Sequence, residues 1–132
     1  MHVAFAAGTG VLAFIDLVSL IVRQQWCNEL ENDDRVGDSF KLVMHNRARD
    51  SEIVAEELLN LAGEKCDKFD YNLQKTQEGV QGPPHWDTET IDKALGNVAE
   101  EHGSSPVKIW VCGTPSMSET FEKYAKLRQV QI

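Results

Sequence analysis

The chain of 132 residues lacks the cysteine pattern of a disulfide-stapled or metal-stapled fold. Its three cysteines, Cys27, Cys66 and Cys112, are odd in number and stand in no Cys-x-x-Cys or other ligand spacing. That disfavours a disulfide framework and a zinc site, and it fits a reducing compartment. Positive charge is also short: 13 lysines and arginines against 21 aspartates and glutamates leave a net charge of −8. Nucleic-acid binding needs a field of the opposite sign, so no nucleic-acid partner is expected. The four histidines (His2, His45, His85 and His102) share no ligand spacing and form no triad order with a serine and an aspartate. Internal repeats and low-complexity segments are missing, as is the basic start a signal peptide needs. The single long apolar stretch, Val3 to Val22, is interrupted by Gly8-Thr9-Gly10 and then by Asp16. A strand, a turn and a helix explain both the glycines and the length better than a membrane span does. With 42% hydrophobic and 26% charged residues, the expectation is one soluble domain over 1–132 with a substantial core.

What is present is an alternation of strands and helices. His2 to Ala7 is short and continuously apolar, the pattern of a strand buried inside a parallel sheet. A helix is expected from Val11 to about Trp26, with Leu12, Ile15, Leu17, Val18, Ile21 and Val22 as a broad apolar surface. The acidic, polar run from Asn28 to Ser39 reads as a loop. Phe40 to His45 reads as the second strand, and Asp50 or Ser51 as the cap of a helix that Gly63 ends. In that helix Ile53, Val54, Leu58 and Leu61 recur at helical spacing. Lys68 to Leu73 alternates as a third strand. Gln74 to Pro84 reads as a loop, in which His85-Trp86 either closes over a ligand or tacks the segment to the core. Thr88 to about Glu101 is a helix with Ile91, Leu95 and Val98 on one face. Val107 to Cys112 is a fourth strand, and Ser116 to Leu127 a last helix. Val130 and Ile132 either begin a fifth strand or fray. The fold expected is α/β, a parallel sheet of about five strands with helices on both faces.

Two runs carry chemistry. Gly8-Thr9-Gly10 stands at the carboxyl end of the first strand, where glycines permit positive φ and close approach of backbone to a phosphate. Thr9 offers a hydroxyl donor, and the dipole of the following helix attracts negative charge. The run is not Gly-x-Gly-x-x-Gly, since Ala13 holds the third position. A tight turn with no ligand would use the same residues. Cys112-Gly113-Thr114-Pro115-Ser116-Met117 is the stronger run: a strand ends in a small soft side chain and bare backbone, and proline opens a helix. Cys112 there is placed to rest against a nicotinamide ring without attacking it. A buried structural cysteine is the alternative. Met117 is read as core filling more than as a contact. After the second strand, Asn46-Arg47-Ala48-Arg49-Asp50-Ser51-Glu52 lies where an adenosine ribose is held in such sheets. Glu52 favours NADH, while Arg47 and Arg49 leave NADPH open. As a first-turn residue of a helix, Glu52 also has a purely structural reading.

Together these residues resemble the NAD(P)-binding domain of the ferredoxin–NADP reductase superfamily, nearest the branch of cytochrome-b-type, nitrate and ferric reductases. That family pairs a Gly-Thr-Gly-(Ile/Val)-x-Pro turn, an Asn-Arg or similar after the second strand, and a late Cys-Gly-Pro-Pro-x-Met turn. Here they stand as Gly8 to Ala13, His45-Asn46-Arg47 and Cys112 to Met117, in order over nearly the whole chain. The resemblance implies a Rossmann-like, three-layer αβα sandwich. It implies that Gly8, Thr9 and Gly10 bind pyrophosphate, that Glu52 with Asn46 and Arg47 lies at the ribose end, and that Cys112, Gly113, Thr114, Pro115 and Met117 line the nicotinamide end. Cys112 is the residue it would place at the reacting ring. NAD(P)H would pass hydride to FAD, and the flavin would reduce a haem, iron–sulfur or metal acceptor. The partners implied are a nicotinamide dinucleotide, a flavin-binding domain and an electron-acceptor protein or metal. The implied location is the cytoplasm or its membrane face, with a parent protein that is either soluble or membrane-associated.

The departures are specific. Ala13 replaces the usual proline of the first turn, and Thr114 the first of two prolines in the second. The Arg-x-Tyr-Ser/Thr motif of the flavin-binding β-barrel is missing, so FAD is expected on a domain outside this chain. The chain alone is then expected to be inactive with NADH and ferricyanide. Two other readings stay open: a nucleotide-binding or interaction domain without catalysis, and a flavodoxin-like mononucleotide domain.

Overall fold

The computed structural model describes residues 1–31, 41–49, 53–75, 86–102 and 106–128. Four parallel strands form one sheet: β1 (His2–Ala7), β2 (Leu42–Ala48), β3 (Phe69–Lys75) and β4 (Lys108–Cys112), in the order β3-β2-β1-β4. Four α-helices flank it: α1 (Ile15–Glu31), α2 (Glu56–Lys65), α3 (Thr88–His102) and α4 (Pro115–Arg128). The expected α/β architecture is therefore present, with four strands; residues 129–132, where a fifth was considered, lie outside the described residues.

The unbroken apolar run of β1 follows from its place between two partners and under two helical layers. Val3, Phe5 and Ala7 point to one face, packing in a core with Ile91, Ala94 and Val98 of α3 and Met117, Phe121 and Tyr124 of α4. Ala4 and Ala6 point to the other, with Val18 and Ile21 of α1 and Leu59 and Ala62 of α2. Alternation sends neighbours on one strand into two separate cores, the signature of a three-layer sandwich.

Several local expectations are corrected. The second strand begins at Leu42 and runs on to Ala48, so Asn46 and Arg47 lie inside it rather than after it. Backbone pairing on both sides holds them there: Asn46 is in register with Ala6 and Leu73, and Arg47 with Ala7 and Gln74. Ladder hydrogen bonds do not depend on side-chain polarity, so a polar pair does not end a central strand. The first helix does not start at Val11. Gly8–Phe14 forms a 3-10 helix, and α1 begins at Ile15. The phase of α2 also differs: Leu59 and Ala62 are buried, while Leu58 and Leu61 are 48% and 49% exposed. Gly63 does not end that helix, which continues to Lys65 before the Cys66 amide donates to the Ala62 carbonyl at 2.9 Å. Asp50 and Ser51, the expected caps, lie outside the described residues; the residue before α2 is Ala55, at φ 54°.

The start of α3 is fixed locally. The Asp87 carboxylate accepts the Thr90 amide at 2.8 Å, and the Thr90 hydroxyl accepts the Asp87 amide at 3.0 Å. This reciprocal cap satisfies two donors that the first turn would leave without partners. Trp86 and Ile91, on either side of the cap, enter the same core, the arrangement of a hydrophobic staple.

Candidate functional site

Strands β1 and β4 are neighbours, run the same way, and lead into helices on opposite faces of the sheet. The chain therefore parts at their carboxyl ends, and in open α/β sheets ligands bind in the crevice above the strand ends at such reversals of strand order. Ala6 is in register with Cys112, which puts Gly8-Thr9-Gly10 and Gly113-Thr114-Pro115 side by side.

The two turns touch. A Cβ added to Gly10 would lie 2.8 Å from the Cys112 carbonyl carbon, closer still to its oxygen, and 3.2 Å from the Gly113 Cα. Only glycine permits this approach of backbone to backbone. Gly8 is required for a different reason: its φ of 56° turns the chain sharply out of β1. Gly113 is less constrained. A Cβ there would overlap Met117 Sδ, part of a flexible side chain, and would meet Ala7 Cβ at 3.6 Å. Met117 itself is buried beneath this turn, as a core filler would be. Cys112 is half-buried and packs toward the α1 and α2 layer.

The 3-10 turn starts at Gly8, so its first amides have no carbonyl a turn behind them, and Thr9 is exposed at its head. Across from it, Thr114 caps α4. Its carbonyl accepts the Met117 amide at 3.0 Å and the Ser118 amide at 3.2 Å, and its hydroxyl shares a 2.9 Å hydrogen bond with Ser116. Threonine before Pro115 is thus a cap followed by a first-turn proline, which accounts for the departure from Pro-Pro.

The residues expected at the ribose end divide between faces. Asn46 is fully buried on the α1 and α2 side, its Nδ2 donating to the Tyr71 hydroxyl at 3.2 Å. Arg47 points to the other side, its guanidinium carbon 5.5 Å from the Trp86 ring centroid. Burial foremost raises the Tyr71 pKa, against the Asn46 hydrogen bond. Glu52 lies outside the described residues, as does His85. Among the described residues, Asn46 Oδ1, Arg47 Nε and Arg49 Nη2 are buried without a hydrogen-bond partner. Buried polar atoms without a partner suit a polar ligand.

Sequence reasoning missed His45. It is buried, stacked on Phe5 at 5.4 Å, edge-on to Trp86 at 6.3 Å, with neither ring nitrogen hydrogen-bonded among the described residues. Burial lowers its pKa to about 4, so it is neutral at pH 7. No spacing in the chain signals this, because its neighbours lie some forty residues away on either side. Trp86 was legible only in part. It does tack its segment to the core, and its Nε1 does so by donating to the Ala6 carbonyl at 2.9 Å.

Among the described residues no group of His, Cys, Asp or Glu could hold a metal ion, and no helix is long and apolar enough to cross a membrane. No family model matches the sequence, and no curated protein matches it. Solved structures do match. One is the crystal structure of the cytochrome b5 reductase domain of Ulva prolifera nitrate reductase, at 13% identity and a TM-score of 0.65. The match covers 98% of this chain and 45% of that one, so the chain spans under half the length of the structure it resembles. At that identity the likeness is one of fold, and the fold is the one the two glycine turns implied.

Proposed function

We propose that this chain binds NAD(P)H as the nucleotide-binding half of a flavoprotein reductase. The observation that carries the reading is the packing of Gly10 on the Cys112–Gly113 backbone, which makes one cradle of two turns at a reversal of strand order. A dinucleotide is long enough to need both. Gly8, Thr9 and Gly10 would hold the pyrophosphate through backbone amides and the Thr9 hydroxyl, with no net positive charge required. Arg47 and Glu52 would belong to the adenosine end, with Asn46 buried on the face of the sheet opposite Arg47. Cys112, Gly113, Thr114, Pro115 and Met117 form the nicotinamide end, with the Cys112 side chain as a wall beside the ring. A dinucleotide held there would supply hydride chemistry toward FAD on a flavin-binding domain, and so electrons for a haem, iron–sulfur or metal acceptor. The chain's own part is to orient the ring and keep water from it. The similar fold of the cytochrome b5 reductase domain of a nitrate reductase supports this role.

The test is thermal unfolding with NADH, NADPH and FMN at matched concentration. A ligand held only by the native state raises Tm. Either dinucleotide should do so and FMN should not; the opposite ranking favours a flavodoxin-like domain and overturns the reading. Gly10→Ala supplies the structural control. Its Cβ falls roughly 0.7 Å inside the optimal carbon–carbon separation, from the 2.8 Å approach to Cys112. The turns must part, and dinucleotide affinity should drop at least about tenfold. Unchanged affinity in this variant would remove the cradle from the site.

A further inference from the structure

We infer that Trp86 is a positioning residue of this site, holding the Arg47 guanidinium near the carboxyl end of β1 and tying that end to the start of α3. The inference rests on the dinucleotide reading above and names a residue outside the two turns. Trp86 Nε1 donates to the carbonyl of Ala6, two residues before the left-handed Gly8. Arg47 is in register with Ala7, so its Cα stands beside the last residue of β1. Its guanidinium lies over the indole at 5.5 Å, and its Nε is buried with no partner among the described residues.

A guanidinium stacked on a ring keeps its in-plane N–H groups free for an oxyanion. Unstacked, the same side chain must give up rotamer freedom on binding. The indole removes that cost in advance, which strengthens binding without a contact of its own. The platform is itself rigid. Trp86 sits edge-on to Phe5 at 5.0 Å and 84°, and its chain is clamped by the Asp87–Thr90 cap one residue on. The chemical class this arrangement fits is a phosphate-bearing nucleotide, with a phosphate oxygen meeting Arg47.

The experiment is calorimetric titration of NADH and NADPH into wild type, Trp86→Phe, Trp86→Leu, Arg47→Met and the Trp86→Leu/Arg47→Met double variant. Trp86→Phe keeps an aromatic face and loses the bond to Ala6, so Tm falls while the better ligand's affinity stays within about twofold. Trp86→Leu loses the face, and affinity falls about fivefold. In the Arg47→Met background the leucine substitution should cost no further affinity, the mark of two residues acting as one. Equal losses with and without Arg47 would make Trp86 merely structural and overturn the inference, as would an unchanged affinity in Trp86→Leu. Should the leucine variant fail to fold, Arg47→Lys carries the test. It keeps the charge and loses the planar guanidinium fork, and must lose most of what Arg47→Met loses. A wild type that binds neither dinucleotide overturns the reading of the site, and the inference with it.

Discussion

Replacing His45 by phenylalanine should change how stability depends on pH. The imidazole is 4% exposed and wedged between Phe5 and Trp86, and burial brings its pKa from 6.5 to about 4. A base whose folded pKa is depressed binds its proton more readily when unfolded. Stability is therefore full above pH 6.5, falls as pH drops through the interval down to about 4, and levels off below it. At 1.36 kcal/mol per unit, a shift of this size removes about 3 kcal/mol between pH 6.5 and pH 4. Native domains hold only about 5–15 kcal/mol in total, so the loss is easily measured. His2 acts in the same direction, its pKa lowered by burial first and then by the N-terminus and Lys108. Asp92, held low by its Tyr124 hydrogen bond first, acts only below its ordinary range near 3.8. Comparing wild type with His45→Phe cancels both. Urea unfolding at pH 7, 6, 5 and 4 should show the variant gaining about 3 kcal/mol on wild type across the series. Phenylalanine also removes two unpartnered ring nitrogens, so the variant should be no less stable than wild type at pH 7. Parallel stability curves for the two proteins would refute the reasoning.

The chain has two tyrosines, and both resist ionisation. Tyr124 is pushed up to about 12, by burial first and then by its 2.8 Å hydrogen bond to Asp92; Tyr71 is also raised, again by burial first. A spectrophotometric titration should therefore find less phenolate at pH 10 in the folded protein than in the unfolded chain. Stability should fall from pH 10 toward 12, because the unfolded chain releases these protons first. Phenolate rising with an ordinary midpoint near pH 10 while the protein remains folded would contradict this. Gly96 stands in the interior of α3 with nothing within 4 Å of an added Cβ. Gly96→Ala should raise stability by about 0.5–1 kcal/mol in chemical denaturation, the opposite of Gly10→Ala.

How far the sequence could be read depended on how local each cause was. The glycine turns were legible because their demands are written in the residues themselves: Gly8 must turn the chain at positive φ, and Thr114-Pro115 is a helix start in miniature. Strand β1 was legible because a strand covered on both faces has no polar alternation to hide it. Helix phase was not legible. Leu58 and Leu61 fit the same period as Leu59 and Ala62, and only the position of α2 over the sheet decides which pair is buried. Asn46 and Arg47 looked like the end of a strand because their polarity was visible and their ladder partners were not. His45 is the extreme case, since the burial that sets its charge comes from residues far along the chain in both directions, Phe5 and Trp86 among them. The site divides along the same line. Each glycine turn of the proposed cradle follows from short-range backbone constraints and was visible in the sequence, whereas the contact of the two turns and the side-chain platform under Arg47 exist only once the strands and the entry to α3 have come together. Variants of the cradle and of the platform should therefore fail differently: Gly10→Ala moves backbone and affects any dinucleotide, while Trp86→Leu, beyond its cost in stability, weakens affinity only through Arg47.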